Sequence, residues 1–361
     1  MKKMKAALAN RCEVLEGGNS IMAQQRLSHA RISLLQRELD RVANELPSLD
    51  RIELPLKLAM QRLHFLSWQE RLLLLERITE KEDFLRLGLA EIESFLYRSV
   101  RAQSFSSVKI WERAEHDAEF LLQSGTRFVS IDNEAYPRYL KEIHRAPFGL
   151  FIRGSIRILQ SPSVTIVGTR VPTVRGIRAA AELSKSAADA GFQIVSGLAR
   201  GIDASAHRGA LQSGTSSTIA VLPCGIERVY PPSNAPLAAA ILDHGGCLIT
   251  EYPPGVSLDR YRFPERNRIL AGISKLTVVI EAPKSSGALI TAEFALAEGR
   301  DVAVAFACLG SSQNAGADAL AKEGACALRN IEDMLLVLRG KGIWDWDFEN
   351  ERKSVSLRKE L

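Results

Sequence analysis

The sequence predicts a Rossmann-like, doubly wound α/β domain with a mostly parallel sheet, preceded by a small all-α domain. Three observations point there. Between residues 164 and 328, seven short apolar runs alternate with Ala-rich amphipathic segments, the order of strands separated by helices. The runs are continuously apolar, which marks strands buried on both faces, the usual condition of a parallel sheet. Across residues 55–122 the apolar side chains instead recur every three or four positions, a helical period.

Taken in order, residues 1–48 are polar and weakly periodic and are expected to be a leader with no assigned role. Residues 49–125 follow as the helical domain, with Leu56, Leu58, Ala59 and Leu63, then Leu72, Leu73, Leu75 and Ile78, then Phe84, Leu87, Leu89, Ile92, Phe95 and Leu96 recurring at three- and four-residue spacing. A connecting segment comes next, punctuated by Tyr136-Pro137, Pro147 and Gly154, and opens the Rossmann-like domain of 126–338. Strands are expected at 164–167, 193–195, 218–222, 247–249, 276–280, 302–306 and 325–328, with helices at 174–190, 288–298 and 331–338. The tail at 339–361 is charged and too short for another domain.

Composition excludes several classes. At 361 residues, 46% hydrophobic and 25% charged, the chain is globular in character, not disordered. The formal net charge of 47 − 42 = +5 is too small to identify a nucleic-acid partner. Arginine outnumbers lysine 33 to 14; its planar fork suits phosphate, yet a base-biased genome yields the same ratio, so composition leaves the point open. Five cysteines, Cys12, Cys224, Cys247, Cys308 and Cys326, lie far apart without a CxxC pair, so reduced thiols and no metal site are expected. No run reaches the ~18 apolar residues of a membrane span, and no apolar stretch follows the N-terminal lysines. A cytoplasmic location is expected.

In an open α/β sheet the ligand lies beyond the carboxyl ends of the strands, so the loops there matter most. The first, Gly168-Thr-Arg170-Val-Pro172-Thr173, has a glycine for close approach, an arginine, and Thr173 placed to cap a helix whose first amides could hold an anion. The second, Ser196-Gly197-Leu-Ala-Arg200-Gly201-Ile-Asp203, carries another arginine between glycines, with Asp203 expected as the helix cap. His207 follows on that helix and is read as a structural histidine bonded across the loop, since its neighbours do not form a triad with it. The third holds Arg260, Arg262, Arg266, Asn267 and Arg268, with Arg266-Asn267-Arg268 expected to open a helix. The fourth, from Glu281 through Ser286-Gly287 to Thr291, is a second strand-to-helix turn rich in amides and hydroxyls. GxGxxG is absent, and Ser196-Gly197 stands where an acidic ribose ligand would be, so no dinucleotide cofactor is expected. A cationic, amide-lined groove fits binding of a phosphodiester chain better than hydrolysis.

The segments GTRVPT (168–173), SGLARGIDASAH (196–207), YPPSN (230–234), EYPPG (251–255), FPERNRILAGIS (263–274), VVIEA (278–282) and SGALITA (286–292), in that order and spacing, resemble the DprA/Smf family of DNA-processing proteins. The resemblance is strong over 130–330 and loose over 55–125, where it implies a SAM-like or helix-hairpin-helix module. It implies a non-enzymatic, cofactor-free protein that binds and protects single-stranded DNA, loads the RecA recombinase onto it during transformation, and forms a homodimer through its Rossmann domain. It assigns phosphate contact to Arg170 and Arg200, and groups Gly168, Gly197, Gly201, Asp203 and His207 with them. Arg266, Asn267 and Arg268 match an RNR signature, and Ser286, Gly287 and Thr291 match an SGxLxTA turn. Three features depart from the family: Ala307-Cys308-Leu309-Gly310 replaces a Pro-Gly turn, 316–321 lacks the usual Gly-x-Asn-x-Leu-Ile segment, and no winged helix, as many members carry, is expected in the tail at 339–361.

The alternative from the enzyme class is a LOG-like nucleotide phosphoribohydrolase with Glu293 as acid, although Ser285-Ser286 stands where that group has paired glycines. A scaffold with a vestigial groove is the third reading. For base stacking, Phe263 and Tyr261 are the candidates.

Overall fold

The computed structural model describes residues 50–102, 104–214, 217–311 and 313–339. The expectations for 1–48 and for 340–361 lie outside the described residues. The chain divides into two compact units, with the main boundary between Gly125 and Thr126 and with Ser67–Gln69 grouped with the second unit.

The first unit is helical: α1 (Asp50–Gln61), α2 (Trp68–Leu75), α3 (Lys81–Leu85), α4 (Leu89–Leu96) and α5 (Ser107–Ser124). Leu58, Met60, Leu63, Phe84 and Ile92 are fully buried, and the Phe84 and Trp111 rings stand 5.6 Å apart. Arg62 at the end of α1 grips Asp117 of α5 with two hydrogen bonds of 2.8 Å. Ser106 caps α5, and Gly125 ends it in the left-handed region.

The second unit is one nine-stranded sheet in the order β1-β2-β6-β5-β4-β3-β7-β8-β9. β3 (Ser163–Val167), β4 (Gln193–Ser196), β5 (Thr218–Val221), β6 (Cys247–Thr250), β7 (Leu276–Val279), β8 (Asp301–Ala305) and β9 (Cys326–Leu328) are the expected strands, joined in parallel. Two more come from the connecting segment. β1 (Arg127–Ser130) and β2 (Gly149–Gly154) form an antiparallel hairpin with α6 (Arg138–Lys141) between them, and β2 joins β6 antiparallel.

Helices α7 (Val174–Asp189), α8 (Ile202–Leu211), α9 (Ala235–Asp243), α10 (Arg262–Gly272), α11 (Gly287–Ala297), α12 (Ala315–Lys322) and α13 (Ile331–Arg339) accompany the strands. Successive residues of a strand face opposite sides, and β3 makes this visible. Val164 and Ile166 join a core cluster with Ala180 and Ala187 of α7, Ala206 of α8 and Met334 of α13. Thr165 between them donates its hydroxyl to the Leu270 carbonyl of α10 at 2.6 Å. The sheet is therefore covered on both faces, as the unbroken apolar runs require.

From β3 the chain steps one way through β4, β5 and β6, then returns to the other side of β3 for β7, β8 and β9. The loops leaving β3 and β7 diverge at this switch point and leave a crevice beyond the strand ends.

Candidate functional site

The crevice is a cleft of about 390 Å³ walled by the loops after β3, β4 and β7 and by the start of α10. Of the residues expected at the site, Gly168, Arg170, Asp203, Arg266, Asn267, Ser286, Gly287 and Thr291 line it. Gly197, Arg200, Gly201, His207 and Arg268 do not, and each has another place.

The loop after β3 is held at both ends. Thr169 N–H donates to the Glu281 carbonyl at 2.7 Å, and Thr173 caps α7 by accepting the Gly176 N–H at 3.0 Å. The expected anion at the start of α7 is an internal one: a Glu281 carboxylate oxygen accepts the Thr173 N–H at 2.8 Å. Arg170, exposed in mid-loop, lies over the Phe263 ring at 5.1 Å, and Phe263 meets Tyr230 edge-on at 5.6 Å.

In the loop after β4, Arg200 is exposed. Gly201, not Asp203, occupies the cap position of α8, with φ 79° and ψ −123°, a conformation open essentially to glycine. Asp203 lies in the first turn and points back, accepting the N–H groups of Gly197 and Ala199 at 3.2 and 3.4 Å. Burial pushes its carboxyl upward, opposed by the nearby Arg266 charge and by those two amides. Ile202 N–H donates to the Thr169 carbonyl at 3.2 Å. The two arginine-bearing loops are thus tied by backbone.

His207 is fully buried, so its place in the site is structural, yet its bond does not cross the loop. Nδ1 lies 2.7 Å from the hydroxyl of Thr218 on β5. That hydroxyl gives its only proton to the Ile194 carbonyl, so Nδ1 carries the imidazole hydrogen. Burial first, then the charges of Arg266 and Arg208, lowers its pKa to about 3. It stays neutral and presents no charge to a phosphate.

The arginines of α10 are also placed differently from expectation. The helix begins at Arg262, so Arg266, Asn267 and Arg268 fall one turn inside it. Arg266 is 4% exposed and its Nη1 donates to the carbonyls of Gly197, at 2.9 Å, and of Val221. Burial lowers its pKa to about 10, which leaves it charged. Asn267 donates to the Gly287 carbonyl at 3.3 Å. Arg268 turns away to pair with Glu251. Arg266 and Asn267 form the floor of the cleft and brace its walls. Arg262 covers the rings of Tyr252 and Tyr261 at 5.1 and 5.3 Å.

At the fourth loop Ser286 caps α11 by accepting the Ala288 N–H at 3.3 Å, and Thr291 donates back to the Gly287 carbonyl at 3.5 Å. Glu293 is exposed and does not line the cleft. The divergent segment after β8 still braces this wall: buried Asn314 accepts the Ala282 N–H at 3.0 Å, and Gly316 N–H donates to the Ala282 carbonyl at 2.9 Å. Sequence reasoning missed the Glu281 carboxylate and the Phe263–Tyr230 pairing; the acidic residue closing an apolar strand was the signal for the first.

Chemically the site offers two exposed guanidiniums on joined loops above a buried, charged floor. Among the described residues no three His, Cys, Asp or Glu side chains gather as metal ligands, and no helix is long and apolar enough to cross a membrane. The family description that matches is DNA recombination-mediator protein A, over residues 127–339, more than half of the chain. The chain belongs to this family, also known as DprA/Smf. Similar members include DNA processing protein DprA of Streptococcus pneumoniae, 40% identical over 57% of this chain and 72% of its own. Protein Smf of Synechocystis sp. is 36% identical over 67% of this chain, and that of Escherichia coli 38% over 60%. The chain spans about six tenths of the length of those two, 64% and 58%. Among solved structures, DprA of S. pneumoniae superposes with a TM-score of 0.62 at 32% identity, covering 78% of this chain and 95% of that one. DprA of Helicobacter pylori, described for its single-stranded DNA binding mode, gives 0.53 at 25% identity over 60% and 97%.

Proposed function

We propose that this protein binds single-stranded DNA across the switch-point cleft, with Arg170 and Arg200 as its phosphate contacts, and serves DNA processing during transformation without catalysing a reaction. One observation carries the reading: two exposed arginines sit on loops joined by the Ile202–Thr169 hydrogen bond, so the backbone that bears both cations is held together beside the cleft. The family description as a recombination mediator, and the strand binding described for the H. pylori relative, support it.

The chemistry follows from the parts. A strand's phosphates meet Arg170 and Arg200 at the rim through charge-assisted hydrogen bonds. Gly287 lets backbone approach, Gly168 leaves room for the Ile202 side chain behind its loop, and Ser286 and Thr291 line the far wall. Gly197, Gly201, Asp203, Arg266 and Asn267 hold that surface in place from beneath, while His207 and Arg268 are bonded elsewhere, to Thr218 and Glu251. Phosphate contacts carry no sequence information, so affinity is expected to be similar across sequences and strongly salt-dependent.

Within this proposal the protein acts in the cytoplasm as a homodimer and delivers the strand to RecA. Sedimentation measures the dimer, and RecA assembly on a strand with and without the protein measures delivery; a monomer, or unchanged assembly, removes the corresponding claim. Titration with single- and double-stranded oligonucleotides at two salt concentrations tests the core reading. Tighter binding to the single strand is expected, and no binding to either at low salt defeats it.

A further inference from the structure

The start of α7 directly follows the loop whose Gly168, Thr169 and Arg170 wall the cleft, and in a doubly wound fold such a helix start is where a nucleotide phosphate is held. Here it is filled from within. Glu281, just beyond β7, is 0% exposed and its Oε2 accepts the Thr173 N–H at 2.8 Å. The carboxylate reaches so far into the first turn that a β-carbon on Gly176 would stand 2.4 Å from Oε2. Any side chain at 176 competes with it for the same space.

Thr173 caps α7 with its own hydroxyl and Glu281 takes the amide of the capping residue itself, a task that an uncharged acceptor serves as well, so helix capping alone does not call for a charge there. Nor is the carboxylate well served where it is: Oε1 is buried with no hydrogen-bond partner among the described residues. A buried acceptor left unmet is costly, and an apolar residue would seal β7 against α7 at lower cost. What a carboxylate adds is negative charge and bulk at the place where a free phosphate would enter. The same residue's carbonyl accepts the Thr169 N–H at 2.7 Å, so both ends of the loop bearing Arg170 hang on Glu281.

We infer that Glu281 sets the specificity of the cleft: its carboxylate plugs the N-terminus of α7 against the phosphate of a free nucleotide and holds the Arg170 loop at the rim, where the phosphates of a strand pass. The strand half of this inference rests on the function proposed above; the plug does not. Toward the strand Glu281 is a positioning residue, since it is buried behind the loop it holds.

The test uses the full chain and its Glu281→Ala and Glu281→Gln variants, each checked for folding by circular dichroism. Inorganic phosphate and adenosine monophosphate are titrated calorimetrically without DNA, and a labelled oligothymidylate is titrated separately. The alanine variant is expected to gain phosphate affinity about tenfold, as an opened helix N-terminus allows. It loses strand affinity about fivefold, the equivalent of one modest hydrogen bond, as the Arg170 loop loosens. The glutamine variant keeps the acceptor and the bulk, so it retains strand affinity while the lost charge tightens phosphate about threefold. A folded alanine variant with no gain in phosphate or nucleotide binding overturns the plug. Should that variant not fold, unchanged phosphate affinity in the glutamine variant overturns it equally. Failure of the parent protein to bind the strand defeats the functional reading instead, while the titrations without DNA still decide the plug.

Discussion

Arg266 keeps its charge with 4% of its surface exposed because two backbone carbonyls accept from it and Asp203 supplies the largest opposite charge. Removing one member of such a set strands the others, so Arg266→Met is expected to cost roughly 2–4 kcal/mol, read as a lower denaturation midpoint. Were Arg266 a free phosphate ligand, the variant would lose strand affinity at unchanged stability. His207 gives a pH signature. Its folded pKa lies near 3 against about 6.5 in an unfolded chain, so below 6.5 the unfolded state takes up the extra proton. Stability therefore falls on acidification, by about 2 kcal/mol between pH 7 and 5 from this residue. The raised carboxyls of Asp203 and Glu251 act in the opposite sense; subtracting the profile of His207→Gln isolates the histidine. A difference profile flat across that window contradicts the buried neutral imidazole. The sequence showed which residues gather at the strand ends, but not which face inward. Spacing alone does not separate Arg170, on a loop tip, from Arg266, one turn inside a helix that starts at Arg262.

The elements were legible where burial on both faces imposes an unbroken apolar run, and all seven parallel strands fall within a residue or two of the runs that predict them. The β1–β2 hairpin was not, because Pro137 and Pro147 break the segment between two short runs and mimic a connector. Neither was the strand order, which depends on crossovers that leave no local mark. At this scale the site depends on backbone ties between loops, and Gly201 is the position to test them. Its φ of 79° excludes side chains, and a β-carbon there would stand 2.4 Å from the Thr169 carbonyl, the group that accepts from Ile202. Gly201→Ala is expected to destabilise by roughly 1–3 kcal/mol and to weaken strand binding as the two arginine loops part. Wild-type affinity in that variant argues that the loops bind independently.

Over the whole molecule, a net charge of +5 says little, since it does not separate exposed cations from ones such as Arg62, Arg268 and Arg266, which are engaged by Asp117, Glu251 and backbone carbonyls. The binding surface is set by topology, which brings the loops after β3, β4 and β7 to one crevice and leaves Arg170 and Arg200 exposed on them. The most direct measurement is the salt dependence of single-strand affinity for the parent protein and for Arg170→Ala/Arg200→Ala. Two lost phosphate contacts predict weaker binding to every sequence and a log–log slope shallower by about 1.4, at ~0.7 per contact on a single strand. A folded double variant with unchanged affinity and unchanged slope would contradict the assignment of these arginines and, with it, the placement of DNA at the switch-point cleft.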